Sequence, residues 1–165
     1  MFALVVIVIL SFGLGAILGA PFVPTHKRAV TAALDLVDLQ PGQHLLDLGE
    51  GSGTLVVAAA KRGIRVTGIE INPVLWIIAN IRIWPYRSRA RVILGNYWQM
   101  TWPEADCIYI FLIGHYMARF SQHLQKRTKR PVKVISYTFQ VPGLRLEQTR
   151  DGLHLYYYEP PQPAA

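Results

Sequence analysis

The sequence predicts an α/β domain in which parallel strands alternate with helices and the chain ends in an antiparallel hairpin. An apolar run ending at Asp47 is followed by three alternating glycines and then by an apolar stretch, the pattern of a strand, a turn and a helix. Short apolar runs then alternate with segments of helical periodicity, as in a parallel sheet. The dipeptide Asp151-Gly152 separates the last two runs and indicates a hairpin.

Composition limits the class of protein. The chain has 165 residues, enough for one domain, and charged residues make up only 16%, which excludes a disordered or highly charged tail protein. Its single cysteine, Cys107, excludes an internal disulfide framework and cannot form a zinc site alone. The formal net charge of +7 favours anionic partners such as acidic lipid headgroups or nucleic acid.

The first residues predict a membrane segment. Residues 2–20 carry no charge, and 19 helical residues extend for about 28 Å, the thickness of a bilayer's hydrocarbon core. A cleaved signal peptide is the alternative, but no basic residue precedes the run and Leu18-Gly19-Ala20 lacks the A-x-A pattern. Basic residues follow the run, which predicts that the remaining chain lies on the cytoplasmic side.

We therefore expect a transmembrane helix over 1–20, a proline-containing linker over 21–26, one domain over 27–159 and a disordered proline-rich tail over 160–165. Within the domain, helices are predicted over 25–39, 54–62, 73–84 and 116–126. After the strand that ends at Asp47, further strands are predicted over 65–70, 91–94, 107–112, 132–139, 144–148 and 153–158. The interval 97–103 is too short for a helix and predicts a loop.

The glycine turn indicates a ligand site. His44 to Gly53 reads H-L-L-D-L-G-E-G-S-G, and glycine permits both a left-handed backbone and close approach of a ligand. A dinucleotide fingerprint requires G-x-G-x-x-G, but Thr54 stands where its third glycine would be. Glu70 ends the next strand, 21 residues after Gly49, where a carboxylate can accept hydrogen bonds from both ribose hydroxyls.

With Asp47 two residues before the first glycine, D-L-G-E-G-S-G resembles motif I of the class I S-adenosyl-L-methionine (SAM) methyltransferases. The resemblance implies a Rossmann-like fold whose mostly parallel seven-stranded sheet ends in an antiparallel hairpin, and SAM rather than a nicotinamide as cofactor. It also implies that Asn96 bonds the adenine amino group and that Tyr97 or Trp98 lies against the ring. The expected cofactor contacts are Asp47, Gly49, Glu50, Gly51, Gly53, Glu70, Ile71, Asn96 and Tyr97.

The whole outline resembles more closely the small membrane-anchored lysine methyltransferases of mitochondria and their prokaryotic relatives. The shared features are the apolar N-terminal segment, P-F-V-P-T at 21–25, D-L-G-x-G-x-G, and G-I-E-I-N-P at 68–73. This resemblance implies a lysine of a membrane protein as the methyl acceptor. Departures from the usual turn at Glu50, Ser52 and Thr54, and in the segment after the fourth strand, leave open a small-molecule or lipid methyltransferase. The short loop at 97–103 and the absence of an acceptor motif leave open an inactive methyltransferase-like adaptor at the membrane.

The segment after the fourth strand bears on the acceptor. It reads F-L-I-G-H-Y and lacks the N-P-P-Y or D-P-P-Y sequence with which nucleic-acid amino methyltransferases bind a base, which argues against nucleic acid. His115 and Tyr116 are the candidate catalytic residues, able to accept a proton or orient a nucleophile. Two basic runs, at 82–91 and 126–130, suit anionic headgroups better than nucleic acid, although solvated helix ends are a third interpretation.

Overall fold

A computed structural model describes residues 26–161, and within them the chain forms one sheet of seven strands. Their spatial order is β3-β2-β1-β4-β5-β7-β6. The first five strands are mutually parallel, whereas β7 is antiparallel to both β5 and β6. The strands are β1 His44–Leu48, β2 Arg65–Glu70, β3 Ala90–Leu94, β4 Cys107–Ile110, β5 Val132–Tyr137, β6 Leu146–Arg150 and β7 Leu153–Tyr158. The parallel strands therefore share a carboxyl edge and an amino edge.

Helices cover both faces of the sheet. The helices are α1 Lys27–Val37, α2 Thr54–Lys61, α3 Pro73–Ile83 and α4 Met117–Arg127. Apolar side chains of the first three pack on one face around Leu45 and Val66, and those of α4 pack on the other around Leu46 and Val134. Short 3-10 turns occur at Trp84–Tyr86 and Gly114–Tyr116.

The connection from β3 to β4, residues 95–106, contains no helix, as the sequence predicts for 97–103. Two of its tryptophans, Trp98 and Trp102, are buried in the core beside α4 instead. The Arg127 guanidinium donates hydrogen bonds to the carbonyl oxygens of Tyr97 and Trp98, at 2.6 and 2.5 Å. Aromatic packing and one arginine therefore hold this loop against the sheet.

Most predicted elements agree with the structure, and the differences lie at their ends. The sixth strand is predicted over 144–148 but occupies Leu146–Arg150, because a two-residue turn at Asp151 (φ 51°) and Gly152 (φ 76°) lets pairing continue to Arg150. The fourth strand ends at Ile110, not 112, because its partner β1 ends at Leu48, just before the glycine turn.

Within residues 26–161, no helix has the length and apolar character needed to cross a bilayer. The predicted membrane helix over 1–20 lies outside the described residues, as do most of the predicted linker and most of the predicted tail.

Gly68 fixes how closely the turn after β1 packs on β2. A Cβ atom at Gly68 would lie 2.6 Å from Cγ and 2.9 Å from Cβ of Glu50. The absence of a side chain there lets Glu50 lie directly against β2 and brings the turn beside the end of that strand.

We predict that Gly68→Ala lowers the free energy of unfolding by about 1–3 kcal/mol, because the added methyl group overlaps Glu50 in a packed interior. Urea unfolding measures the change. The matched control is Gly114→Ala, where the added atom meets only the half-exposed Phe139 ring at 3.2 Å. Glu50→Ala should partly restore the stability of the Gly68→Ala chain, and additive losses would contradict the proposed contact.

Candidate functional site

Three glycines shape the turn at the carboxyl edge. Gly49, Gly51 and Gly53 all have positive φ angles, of 81°, 62° and 76°, which side chains would strain. The backbone N–H groups of Gly49 and Glu50 donate to the carbonyl oxygen of Ile69, at 2.9 and 3.3 Å. The turn is thus anchored to β2, and its three glycines contribute no side chains of their own.

Glu70, the last residue of β2, joins the turn to α3. One of its carboxylate oxygens accepts a hydrogen bond from Gly51 N–H at 2.8 Å, and the other accepts from Asn72 N–H at 2.7 Å. Asn72 in turn caps α3 by accepting from Val74 N–H. Burial raises the pKa of Glu70, while the hydrogen bonds from the backbone oppose that shift. A carboxylate has about four acceptor positions, and because the Ile71 N–H also acts on Glu70, at least one position remains for a ligand.

Asp47 and Glu50 are buried acids beside Glu70. Burial, with the charge of Glu70, raises the pKa of Asp47 to about 8. Burial, followed by the charges of Asp47 and Glu70, raises the pKa of Glu50 to about 10. Neither carboxyl oxygen of Glu50 has a hydrogen-bond partner in the described part of the chain. The charge of Arg82 and the Gly53 N–H oppose this pKa shift, but the raised pKa favours the protonated form of Glu50 at neutral pH.

The Glu50 side chain lies against Gly53 and Gly68. A Cβ atom at Gly53 would lie 3.3 Å from its Oε2 atom and 3.1 Å from Cβ of Ala79 on α3. The sequence suggested Glu50 as a cofactor contact alongside the glycines. The structure places its carboxyl group in the packing between the turn, β2 and α3.

Arg82 is a contact of the turn that the sequence did not reveal. Its guanidinium donates to the carbonyl oxygen of Ser52 at 2.5 Å and to the hydroxyl groups of Ser52 and Thr54 at 3.1 and 3.3 Å. In the sequence, Arg82 looks like one member of a basic surface run. Its role depends on how α3 packs beside the turn, and no local signal indicates that packing.

Asn96 and Tyr97 follow β3 and reach the same edge. The side-chain oxygen of Asn96 accepts from Trp98 N–H at 2.9 Å and forms a tight turn. The Tyr97 ring lies over Gly49, with its Cε1 atom 3.7 Å from the position of a Cβ there. Burial, then the nearby charge of Glu70, raises the pKa of Tyr97. Tyr97, Gly49 and Glu70 are therefore brought together, whereas Trp98 is buried in the core.

The two catalytic candidates lie in the 3-10 turn after β4, beside the glycine turn because β4 pairs with β1. The ring centroids of His115 and Tyr116 are 3.9 Å apart, and the ring centroids of Tyr116 and Trp98 are 6.0 Å apart. His115 is exposed and Tyr116 is half-buried. Ile71, the remaining candidate, is half-buried between β2 and α3. In the described residues, no three His, Cys, Asp or Glu side chains are grouped to hold a metal ion.

Solved structures of similar fold include an RNA methyltransferase from Salinibacter ruber in complex with S-adenosyl-L-homocysteine. It has a TM-score of 0.76 and 26% identity over 87% of this chain and 97% of that one. A SAM-dependent methyltransferase from Geobacter sulfurreducens, also with S-adenosyl-L-homocysteine, has a TM-score of 0.58 and 25% identity over 73% and 52%. These similarities confirm the predicted Rossmann-like class I methyltransferase fold with its seven-stranded sheet.

Two curated relatives are lysine methyltransferases. A lysine N-methyltransferase of Homo sapiens, named for its action on an ATP synthase subunit, is 27% identical over 124 residues, 74% of this chain and 53% of the relative. The chain thus spans about half the length of that protein. A protein-lysine N-methyltransferase of Saccharolobus islandicus is 28% identical over 127 residues, 74% of this chain and 79% of the relative.

The family model of the ANTKMT methyltransferase domain matches residues 47–148. This range is more than half of the chain and includes the glycine turn, Glu70, Asn96 and the turn at His115. The chain therefore belongs to the ANTKMT methyltransferase domain family.

Proposed function

We propose that the chain is a SAM-dependent methyltransferase that acts on a lysine side chain of a protein at a membrane. The observation that carries the proposal is the glycine turn at the carboxyl edge, whose Gly51 N–H donates to the Glu70 carboxylate. The names of the human and Saccharolobus relatives, both lysine methyltransferases, support the acceptor class.

The residues at the carboxyl edge fit SAM. The three glycines permit close approach of a ligand, and the Glu70 carboxylate can accept a hydrogen bond from a ribose hydroxyl. When bound, SAM supplies a methyl group on a positively charged sulfur, and the Glu70 carboxylate, held by two backbone N–H groups, favours a cationic ligand. The residues that would hold it are Asp47, Gly49, Gly51, Gly53, Glu70, Ile71, Asn96 and Tyr97. The Glu50 side chain instead packs between the turn, β2 and α3.

An acceptor lysine arrives as an ammonium and must lose a proton before its nitrogen can attack. The exposed His115 imidazole, beside Tyr116, is the proposed group that accepts this proton or orients the amine. The buried rings of Tyr97 and Trp98 exclude water from the adjoining surface.

The membrane part of the proposal rests on residues 2–20, which are uncharged and are followed by basic residues. A run of this length and character suits a single-pass anchor with the domain on the cytoplasmic side.

We predict that the chain transfers labelled methyl groups from SAM to lysines of membrane proteins, measured by mass spectrometry after incubation with membranes that lack the enzyme.

Glu70→Gln should weaken binding of S-adenosyl-L-homocysteine at least tenfold in calorimetry, because it removes a charged acceptor. Glu147→Gln, an equal change on exposed β6, should leave binding within twofold. A chain beginning at Lys27 should label membrane proteins far less.

The outcomes separate the alternatives. Label found only in lipid or in small molecules would contradict the lysine acceptor. A folded chain that binds neither SAM nor its product would favour the inactive adaptor, and label in RNA would contradict the assignment of a protein substrate.

We predict that His115→Ala lowers kcat at least tenfold while the affinity for S-adenosyl-L-homocysteine stays within twofold, because the side chain acts on the acceptor. Tyr116→Phe should lower kcat less, since the ring contact with Trp98 is kept. His26→Ala removes an exposed histidine that makes no side-chain cap bond at the start of α1 and serves as control. Equal kcat for His115→Ala and the control would exclude His115.

We predict that the free energy of unfolding falls with rising pH because of Glu50. Between its ordinary value of 4.5 and about 10, the folded chain keeps a proton that the unfolded chain loses. Each such group lowers stability by about 1.4 kcal/mol per pH unit in that window. Glu50→Gln should make the slope between pH 6 and 8 shallower by about that amount.

Urea unfolding at both pH values measures this slope. Asp47, with a pKa raised to about 8, and the half-buried His44 contribute equally to both chains, so their effects cancel in the difference between the two slopes. Glu147→Gln should keep the wild-type slope. If Glu50→Gln also keeps the wild-type slope, Glu50 is not buried in its protonated form.

A further inference from the structure

The amino edge of the sheet contains a cavity of about 290 Å³, at the opposite ends of the strands from the glycine turn. Basic side chains dominate its lining, and no acidic side chain contributes to it. The polar lining residues are His44, Arg65, Thr67, Arg87, Arg89 and Arg91.

The strand register explains why these side chains share one face. Arg65 and Thr67 are two residues apart on β2, and Arg91 of β3 pairs beside Thr67. Farther along the same face, Ile69 is buried in the core. Because residues 95–106 form no helix, no helix from this connection covers the amino half of β1 to β3. Arginines stand where a covered sheet face would carry apolar residues.

These arginines are not paired with acids within the described residues, although the carboxylate of Asp106 lies next to His44, 2.7 Å from its backbone nitrogen. Among the described residues, none of the four forms an ion pair with a carboxylate. Arg91 Nε donates to the Thr67 hydroxyl at 3.0 Å and Arg65 Nε donates to the carbonyl oxygen of Gly42 at 2.9 Å, both uncharged acceptors. The Arg87 guanidinium lies 4.0 Å from the centre of the exposed Trp84 ring.

His44 lies close enough to these arginines for their charges to affect its pKa. Its Nε2 atom lies 2.9 Å from the Thr67 hydroxyl oxygen, and its Nδ1 atom lies 2.6 Å from the carbonyl oxygen of Glu104. Burial lowers the pKa of His44, and the hydrogen bond with the Glu104 carbonyl group opposes that shift. The charges of Arg65 and Arg91 lower the pKa further, and the charge of Asp106 raises it. An anion in the cavity would offset the charges of the two arginines.

We propose that this cavity binds a small anion with two or more phosphate groups, of the size of an organic diphosphate. Guanidinium groups present several donors in one plane and bind phosphate through paired hydrogen bonds. The volume is close to the lower end of the range for small-molecule sites, about 300 Å³, which favours a compact ligand over a polymer. The site goes beyond the proposed methyl transfer and does not depend on it.

The test is calorimetric titration of the full chain, in non-ionic detergent, with inorganic pyrophosphate. Arg65→Gln combined with Arg89→Gln should weaken binding at least tenfold. Arg145→Gln combined with Arg150→Gln makes the same charge change in the hairpin at the far edge of the sheet and should stay within twofold. Arg89→Gln alone should weaken binding at least threefold, and it removes no side-chain hydrogen bond or ion pair in residues 26–161.

A second readout locates the ligand. The imidazole resonances of His44 should shift on addition of pyrophosphate, and its pKa should rise, while those of His154 stay unchanged. Absence of binding to the wild-type chain, equal weakening in both double variants, or binding without a response of His44 overturns the proposal.

Competition against pyrophosphate distinguishes two sources of the same chemistry. A nucleoside diphosphate represents soluble phosphates, and a water-soluble short-chain phosphatidylinositol bisphosphate represents lipid headgroups. Displacement by either supports the site, and the lower effective concentration identifies the source. Failure of both to displace, or a single-stranded oligoribonucleotide binding more than tenfold more tightly than pyrophosphate, overturns the assignment to a small phosphate ligand.

Discussion

The carboxyl edge depends on the two hydrogen bonds that Glu70 accepts from the backbone. Gly51 N–H and Asn72 N–H hold its two oxygens at 2.8 and 2.7 Å, so one side chain joins the turn after β1, the end of β2 and the start of α3. These donors favour the ionised carboxylate against the cost of burial. The same group thus links three elements, and under the proposed function it also accepts hydrogen bonds from the ligand, which would couple the local fold to cofactor binding.

This link places two more acids nearby, with opposing consequences for stability and function. Asp47 and Glu50 are buried beside Glu70, where their charged forms are disfavoured by desolvation and mutual repulsion. Protonation of Glu50 lowers that repulsion and leaves Glu70 as the acid best supplied with hydrogen-bond donors. The arrangement lowers the stability of the free domain at neutral pH, while the negative charge of Glu70 favours a cationic ligand at the carboxyl edge.

The local sequence was sufficient to predict the glycine turn, the position of Glu70 at the end of a strand, and the alternation of strands and helices. Each of these features depends on residues that are close together in the chain. The local sequence was insufficient for Glu50 and Arg82, whose positions follow from the packing of α3 and β2 against the turn. The end of β6 was also misplaced, because the two-residue turn at Asp151 sets the register. The arginine cavity was visible only as a basic run, since three strands must align before its members meet.

The missing helix between β3 and β4 links the two edges. Over the carboxyl half of that sheet face, Tyr97, Trp98 and Trp102 replace the helix, and Arg127 holds their loop in place. Over the amino half nothing from this connection replaces it, and the exposed strands carry arginines and His44. One short connection therefore leaves buried aromatic rings beside the proposed cofactor site and a basic cavity at the opposite end of the sheet. An anion bound at the amino edge would contact the same three strands, β1 to β3, that position Asp47, Glu70 and Asn96.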